Sequence, residues 1–154
     1  MYSTLAFIVF LAVVVLAAAS GAIFMPGAWY AGLLKPSWTP PNWLFAPAWS
    51  VLYIMIATAG WLIWQVDEEV SGRTAALIAW GGQLVFNGAW SWLMFGLHRI
   101  DWALADIALL WLAISAFVAV TWRSNRPAAW LFVPYLAWVS FAAALNFAVW
   151  RLNP

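Results

Sequence analysis

Read for hydropathy alone, the chain is a succession of long apolar runs separated by polar breaks. A bilayer core about 30 Å thick is crossed by roughly 20 helical residues, and five runs reach that length: Leu5 to Met25, Pro47 to Val66, Ala75 to Leu97, Trp102 to Trp122 and Ala128 to Trp150. Three breaks are short, Asp67 to Thr74, His98 to Asp101 and Arg123 to Pro127, and such connectors force neighbouring helices antiparallel. The pattern predicts an all-α integral membrane protein, five transmembrane helices in an up-down bundle, with residues 1–154 as a single domain.

The remaining break, residues 26–46, is about twenty residues long, and loops of that length are functional or disordered. Its composition is aromatic and apolar, the reverse of a disordered segment, so the loop is expected to fold back as a lid. Pro36, Pro40 and Pro41 stiffen it by fixing φ and removing amide donors. Trp29, Trp38 and Trp43 each offer a flat apolar face and one indole N–H. Anchoring at the lipid headgroups is the plainer use of such side chains.

Composition agrees with the spans: 68% of residues are hydrophobic and 7% charged, with a mean hydropathy of +0.92, too little polar surface to clothe a soluble globule. A formal net charge of +1 gives no field for nucleic acid, which is excluded as a partner. Without cysteine there is no disulfide, thiolate metal site or thiol redox centre. Ala17, Ala18, Ala19 and Ser20 resemble a signal-peptide cleavage site, but no Lys or Arg precedes the apolar run and the run is of span length; a spanning segment is expected instead. No Arg-rich leader is visible, which fits a bacterial source. Lys and Arg in the loops do not set the orientation, because Arg73, Arg123 and Arg126 on one side balance Lys35, Arg99 and Arg151 on the other. An odd number of spans argues against a self-contained transporter built from two repeats. Ala17 with Gly21, and Ala18 with Ala22, make small-xxx-small pairs for close packing against another helix or a second copy, and a homodimer is expected.

Fifteen tryptophans exceed what interfacial belts need, even with Trp61, Trp64, Trp122, Trp130 and Trp150 placed near span ends. Three stripes at i, i+3 or i+4, i+7 spacing put an aromatic beside an alanine on one helix face: Ala46, Trp49 and Tyr53; Trp102, Ala105 and Leu109; Trp138, Ala142 and Leu145. A flat hydrophobic ligand would fit such gaps, and ordinary helix packing has the same spacing. Gln83, Asn87 and Trp90 share a face of the third span, and Asn146 lies deep in the fifth. They are read as interhelical hydrogen-bonding groups, with the polar rim of a ligand as the alternative. Asp106 is expected to pair with a basic neighbour. His98 is the only histidine and excludes a multi-histidine metal site; no metal and no obligatory cofactor is expected. No nucleophile and base stand at a recognisable spacing, and the run Asp67, Glu68, Glu69 reads as a solubilising turn. Pro134 removes a backbone hydrogen bond inside the fifth span and is expected to bend it.

Trp29-Tyr30, Lys35-Pro36-Ser37-Trp38-Thr39-Pro40-Pro41 and Ala46-Pro47-Ala48-Trp49 resemble the translocator protein family, TspO/MBR, also called tryptophan-rich sensory proteins or peripheral-type benzodiazepine receptors. The likeness continues through Gly81-Gly82-Gln83-Leu84, Asn87 and Trp90, Trp102-Ala103-Leu104-Ala105-Asp106, Pro134-Tyr135-Leu136-Ala137-Trp138, Leu145-Asn146-Phe147 and Trp150-Arg151. The resemblance implies a five-helix bundle whose first loop closes over a pocket for tetrapyrroles such as protoporphyrin IX, for isoquinoline or benzodiazepine drugs, and for sterols. The family's drug pocket falls on Ala22, Phe45, Ala46, Trp49, Trp102, Ala105, Leu109, Trp138, Ala142 and Leu145. Trp49 and Trp138 match the tryptophans associated in bacterial relatives with light-dependent porphyrin breakdown, the one catalytic role the resemblance implies. Added to the residues singled out above, Trp38, Asn87, Trp90 and Asn146, these form the candidate binding set. The family's sterol motif falls on Leu145, Phe147 and Arg151, with Phe147 where strict versions have Tyr. A sterol or lipid carrier acting with a partner is the alternative function.

Overall fold

The computed structural model describes residues 2–67 and 69–154. Glu68, in the middle of the acidic run, lies outside the described residues. These are helical, without strands, and comprise five long helices and one short one: α1 (Tyr2–Ile23), the short α2 (Ala28–Gly32), α3 (Phe45–Trp64), α4 (Arg73–Ser91), α5 (Ile100–Ser124) and α6 (Arg126–Leu152). Around the bundle the neighbours run α1, α3, α6, α5, α4 and back to α1. Four helices, α1, α5, α6 and α3 with its leading turn, are long and apolar enough to cross a membrane. α4 is not among these four; it carries Gly81, Gly82, Gln83, Asn87 and Gly88, which lower its hydropathy.

Local chemistry explains where the helices differ from the expected runs. The break at 123–127 shrinks to one residue, because the Asn125 side chain accepts from the Ala128 N–H at 3.1 Å and Pro127 occupies the first turn of α6, positions that favour a helix start. α4 does not run on to Leu97 as an α-helix. It widens into a π-turn at Trp92–Gly96, where the Leu97 N–H reaches Trp92 O at 2.8 Å, and His98 closes the turn in a left-handed conformation at φ 56°. α6 continues as a helix through Pro134.

Two apolar clusters hold the bundle. The larger is centred on Val14, Ile56, Ile63, Phe117, Phe132, Tyr135 and Val139, and Phe117 stacks on Phe132 at 3.9 Å. The smaller lies at the end where α3 and α5 begin, and joins Leu93, Met94, Ile100, Ala103, Leu145 and Val149 to the loop residues Trp29, Tyr30 and Leu33. Small residues set the closest approaches. A Cβ at Gly88 would lie 3.6 Å from Ala17 O, and the Ser20 hydroxyl donates to Gly88 O. The Ala17/Gly21 pair is therefore used inside the chain, against α4, while Ala22 stays exposed. At Gly60 the Trp80 indole fills the notch and donates to Ile56 O at 2.8 Å, so a Cβ there would lie 2.5 Å from the Trp80 ring and 2.7 Å from Phe10.

Several polar side chains in the spans bond to one another, as hydrocarbon offers no alternative. Tyr53 Oη donates to Asn87 Oδ1 at 3.1 Å, Asn87 Nδ2 donates to Tyr135 Oη at 3.0 Å, and Tyr135 Oη donates to Gln83 Oε1 at 2.8 Å. This chain ties α3, α4 and α6. Trp90 Nε1 donates to Asn146 Oδ1 at 3.0 Å, and Asn146 Nδ2 to Ile100 O at 3.1 Å. The interhelical reading of Asn87, Trp90 and Asn146 is what the geometry shows. The ion pair expected for Asp106 is not found: no hydrogen bond or ion pair reaches its carboxyl among the described residues, and Oδ2 is buried.

Gly60→Ala forces the Trp80 indole out of its notch and should cost about 1–3 kcal/mol, the range of core overpacking, whereas Gly81→Ala meets no atom within 4 Å and should be neutral or slightly stabilising; thermal unfolding in detergent separates the two. Tyr135→Phe strands Asn87 and Gln83 and should cost roughly 1 kcal/mol, read in the same assay.

Candidate functional site

The first loop is folded onto the bundle by many small attachments. Trp29 stacks on His98 at 4.3 Å with the rings 16° from parallel, and Tyr30 meets Phe95 edge-on at 5.3 Å. Burial pushes the Tyr30 phenol above its ordinary pKa, so it stays neutral. Lys35 Nζ donates to Ala31 O and Leu33 O and sits 4.6 Å from the Tyr30 ring centre, which closes the short α2 turn on itself. Thr39 Oγ1 donates to Pro36 O at 2.8 Å within the proline-rich stretch. The firmest attachment is a two-way bond to the end of α6: the Leu34 N–H donates to Asn153 Oδ1 at 3.0 Å, and Asn153 Nδ2 donates to Leu34 O at 2.9 Å.

Beside this loop α3 and α6 bring an aromatic group together. Phe45 and Trp138 meet edge-on at 5.8 Å, Trp49 and Trp138 at 6.4 Å, and Trp49 stacks on Tyr53 at 5.2 Å while its edge meets Tyr135 at 6.1 Å. Trp38 of the loop reaches Phe141 at 5.8 Å, and Phe141 lies 6.0 Å from Trp138. An open apolar groove of about 430 Å³ runs between α3 and α6, lined by Pro47, Val51, Met55, Pro134 and Trp138 among others. Trp138 is thus a wall of both the aromatic group and the groove.

The tryptophans divide by what their N–H groups do. Trp61, Trp80, Trp90 and Trp111 donate to protein oxygens. The other eleven, Trp38, Trp49 and Trp138 among them, donate to no partner among the described residues.

Of the residues singled out from the sequence, Trp38, Phe45, Trp49, Trp138 and Ala142 fall in or beside this group, with Leu145 and Asn146 buried deeper toward the second cluster. Asn87 and Trp90 are committed to the interhelical bonds. Ala22 and Ala46 are exposed. The stripe Trp102, Ala105 and Leu109 faces outward: Trp102 is 55% exposed and Leu109 48%, and with Leu93 and Asp106 they line a separate open groove of about 300 Å³. The sterol-motif residues do not share a surface, since Leu145 is buried while Phe147 and Arg151 are exposed. Phe141, Phe95 and Asn153 were not singled out. Phe141 stands three residues past Trp138 on the same face, a legible signal, but nothing in a sequence marks Asn153 as reading the backbone of a loop more than a hundred residues earlier.

The chain can now be set beside known proteins. A TspO/MBR family profile matches residues 7–151. The chain is 45% identical over 138 residues to Protein CrtK of Rhodobacter capsulatus, covering 90% of this chain and 86% of that one. It is 44% identical over 130 residues to the Translocator protein of Sus scrofa, covering 81% and 75%. It is 38% identical over 147 residues to the Tryptophan-rich sensory protein of Cereibacter sphaeroides, covering 96% and 90%. Four membrane-length apolar helices, an aromatic group beside a packed first loop and a match over nearly the whole chain lead to one conclusion: this integral membrane protein belongs to the TspO/MBR family.

Proposed function

We propose that the protein is a membrane receptor for tetrapyrroles such as protoporphyrin IX, bound against Trp49, Trp138 and Phe45 with residues 26–46 as the lid. The observation that carries this reading is the gathering of Trp38 from the loop with Phe45, Trp49, Trp138 and Phe141 of the bundle into one aromatic group, whose three indole N–H groups have no acceptor among the described residues. Flat indole faces suit a planar macrocycle, and free N–H donors suit its carboxylates. The groove against Trp138, at about 430 Å³, is within the usual size of small-molecule sites. The same surfaces would hold isoquinoline or benzodiazepine drugs. The role is sensing, transport or photo-oxidative breakdown of the porphyrin. Breakdown draws on one feature: two tryptophans 6.4 Å apart can give an electron to an excited porphyrin and share the hole that remains, with dissolved dioxygen as the oxidant that takes the electron from the reduced macrocycle and opens it.

In this reading α4 is the fifth span. Its Gln83 and Asn87 are buried and bonded inward, while Ile78 and Val85 are 71% and 69% exposed and would meet lipid. The alternative, a sterol or lipid carrier, draws on the outward groove rather than on the Leu145, Phe147 and Arg151 frame. A homodimer also belongs to the reading, with the exposed face of α1 as its contact.

Protoporphyrin IX titrated in the dark should quench tryptophan fluorescence saturably. Trp49→Phe and Trp138→Phe should each weaken binding about 2- to 12-fold, the equivalent of roughly 0.5–1.5 kcal/mol per aromatic contact, with no change for Trp122→Phe at the opposite end. Unsaturable quenching, equal in all variants, would refute the porphyrin site. Asn153→Ala removes both bonds to Leu34, and ligand dissociation followed by stopped-flow should speed up several-fold.

A further inference from the structure

His98 is the chain's only histidine, and the fold puts it where the first loop meets the bundle. It closes the π-turn after α4, and the backbone bonds on either side, Leu97 N–H to Trp92 O at 2.8 Å and Arg99 N–H to Leu93 O at 2.9 Å, hold it at φ 56°. That left-handed conformation is uncommon outside glycine, although histidine adopts it more readily than most residues. From there the imidazole stacks on Trp29, with ring centres 4.3 Å apart and planes 16° from parallel. His98 is exposed to water while Trp29 is partly covered, so protons reach the imidazole directly. Histidine is the side chain whose charge changes between pH 5 and 8, and an indole face attracts a cation held over it. The loop's other attachments are the amide bonds of Leu34 with Asn153, the edge-on rings of Tyr30 with Phe95 and of Trp38 with Phe141. None of them carries a group that titrates in that range.

We propose that the stack of His98 on Trp29 is a proton-operated latch: an imidazolium over the indole holds residues 26–46 closed at mildly acidic pH, and loss of the proton loosens them. The proposal rests on the reading of that loop as the lid of the binding site and adds a regulation to it. The charges on the surrounding elements leave the decision to this contact. On the loop, Lys35 folds back onto Ala31 O and Leu33 O and over the Tyr30 ring, and the Tyr30 phenol, raised by burial, stays neutral. At the start of α5, Arg99 and Asp101 are paired at 2.6 Å and offset each other, and Asp106 lies more than a turn farther along. The end of α1 brings Phe24 against the turn at Gly96 and no charge, and the end of α6 brings Arg151, which is exposed. Lys35 and Arg151 oppose an added proton from the surface, where water and salt weaken them, whereas the indole touches the ring that takes it. The sign follows from linkage. A closed loop favours the protonated ring, so the added hold is present in full at low pH and is lost as pH rises through the imidazole's titration.

The chain has no cysteine, so Ser37→Cys, at an exposed position of the loop, takes a single nitroxide label. The test follows its spectrum in the full chain, without ligand, in phosphatidylcholine vesicles. With His98 and Trp29 in place, the ratio of immobile to mobile label should rise about two- to fivefold as pH falls from 8 to 5.5, the factor that an exposed cation–π contact supplies. His98→Asn keeps a residue that tolerates the left-handed backbone but does not titrate, and should give one ratio at every pH. Trp29→Leu leaves the histidine to titrate with no indole beneath it, and should do the same; either variant tests the latch on its own if the other fails to fold. No ligand enters the measurement, so its failure is distinct from a failure of the tetrapyrrole reading, which the quenching titration tests. A ratio indifferent to pH with both residues in place would overturn the proposal. So would a loop that loosens as pH falls, or a pH dependence that survives in His98→Asn or Trp29→Leu.

Discussion

A polar group buried in hydrocarbon is costly unless the protein itself supplies its partner, and the Tyr135 hydroxyl is where this bundle meets most of that demand, with the Gln83 amide nitrogen and the Asp106 carboxyl left out. The hydroxyl accepts from Asn87 and donates to Gln83, and Asn87 accepts in turn from Tyr53. Three helices are thereby registered at one level. The apolar core around Phe117, Phe132 and Val139 adds many contacts that are each small. Directional bonds add a geometric condition to that packing, and this small network joins the inward faces of α3, α4 and α6 at one level. With those faces joined, Trp49 and Trp138 face each other beside Tyr53 and Tyr135.

The tryptophans show the same economy. Where an indole is part of the scaffold its N–H is spent: on Ile56 O by Trp80, on Asn146 by Trp90, on Ser140 by Trp111. In the candidate site, as at the span ends, the N–H has no acceptor among the described residues. The loop is attached in a complementary way. It has one two-way polar bond, Leu34 with Asn153, and otherwise stacked or edge-on rings, contacts that can slide and separate at small cost. In the proposed tetrapyrrole reading, a segment held in this manner opens to admit the ligand and returns to one position.

The stripe Trp102, Ala105 and Leu109 illustrates how far spacing carries. Helical periodicity correctly puts the three side chains on one face of α5, but periodicity has no knowledge of which face the neighbouring helices cover. α4 and α6 cover the face bearing Ile107, Leu110 and Ile114, and the tryptophan stripe is left outside. The sterol frame parts for a related reason: Leu145 and Phe147, two residues apart on a helix, point about 200° apart. Asp106 is a mismatch of another kind. Its depth was legible, but the expected ion pair required a basic group within reach, and the nearby Arg99 is taken by Asp101.

By itself the sequence determined the class of the protein: hydropathy in runs of about twenty residues dictates helices in a membrane, and a stiff aromatic loop with family motifs dictates the TspO/MBR architecture and its core tryptophans. Those properties are local, written within a few turns of helix. The tertiary structure alone decided which indoles retain a free donor, that Asn153 holds the loop, and that Asp106 is left without a partner. Each depends on residues dozens to more than a hundred positions apart, and on the competition among them for a limited set of donors and acceptors, which spacing along one chain does not encode.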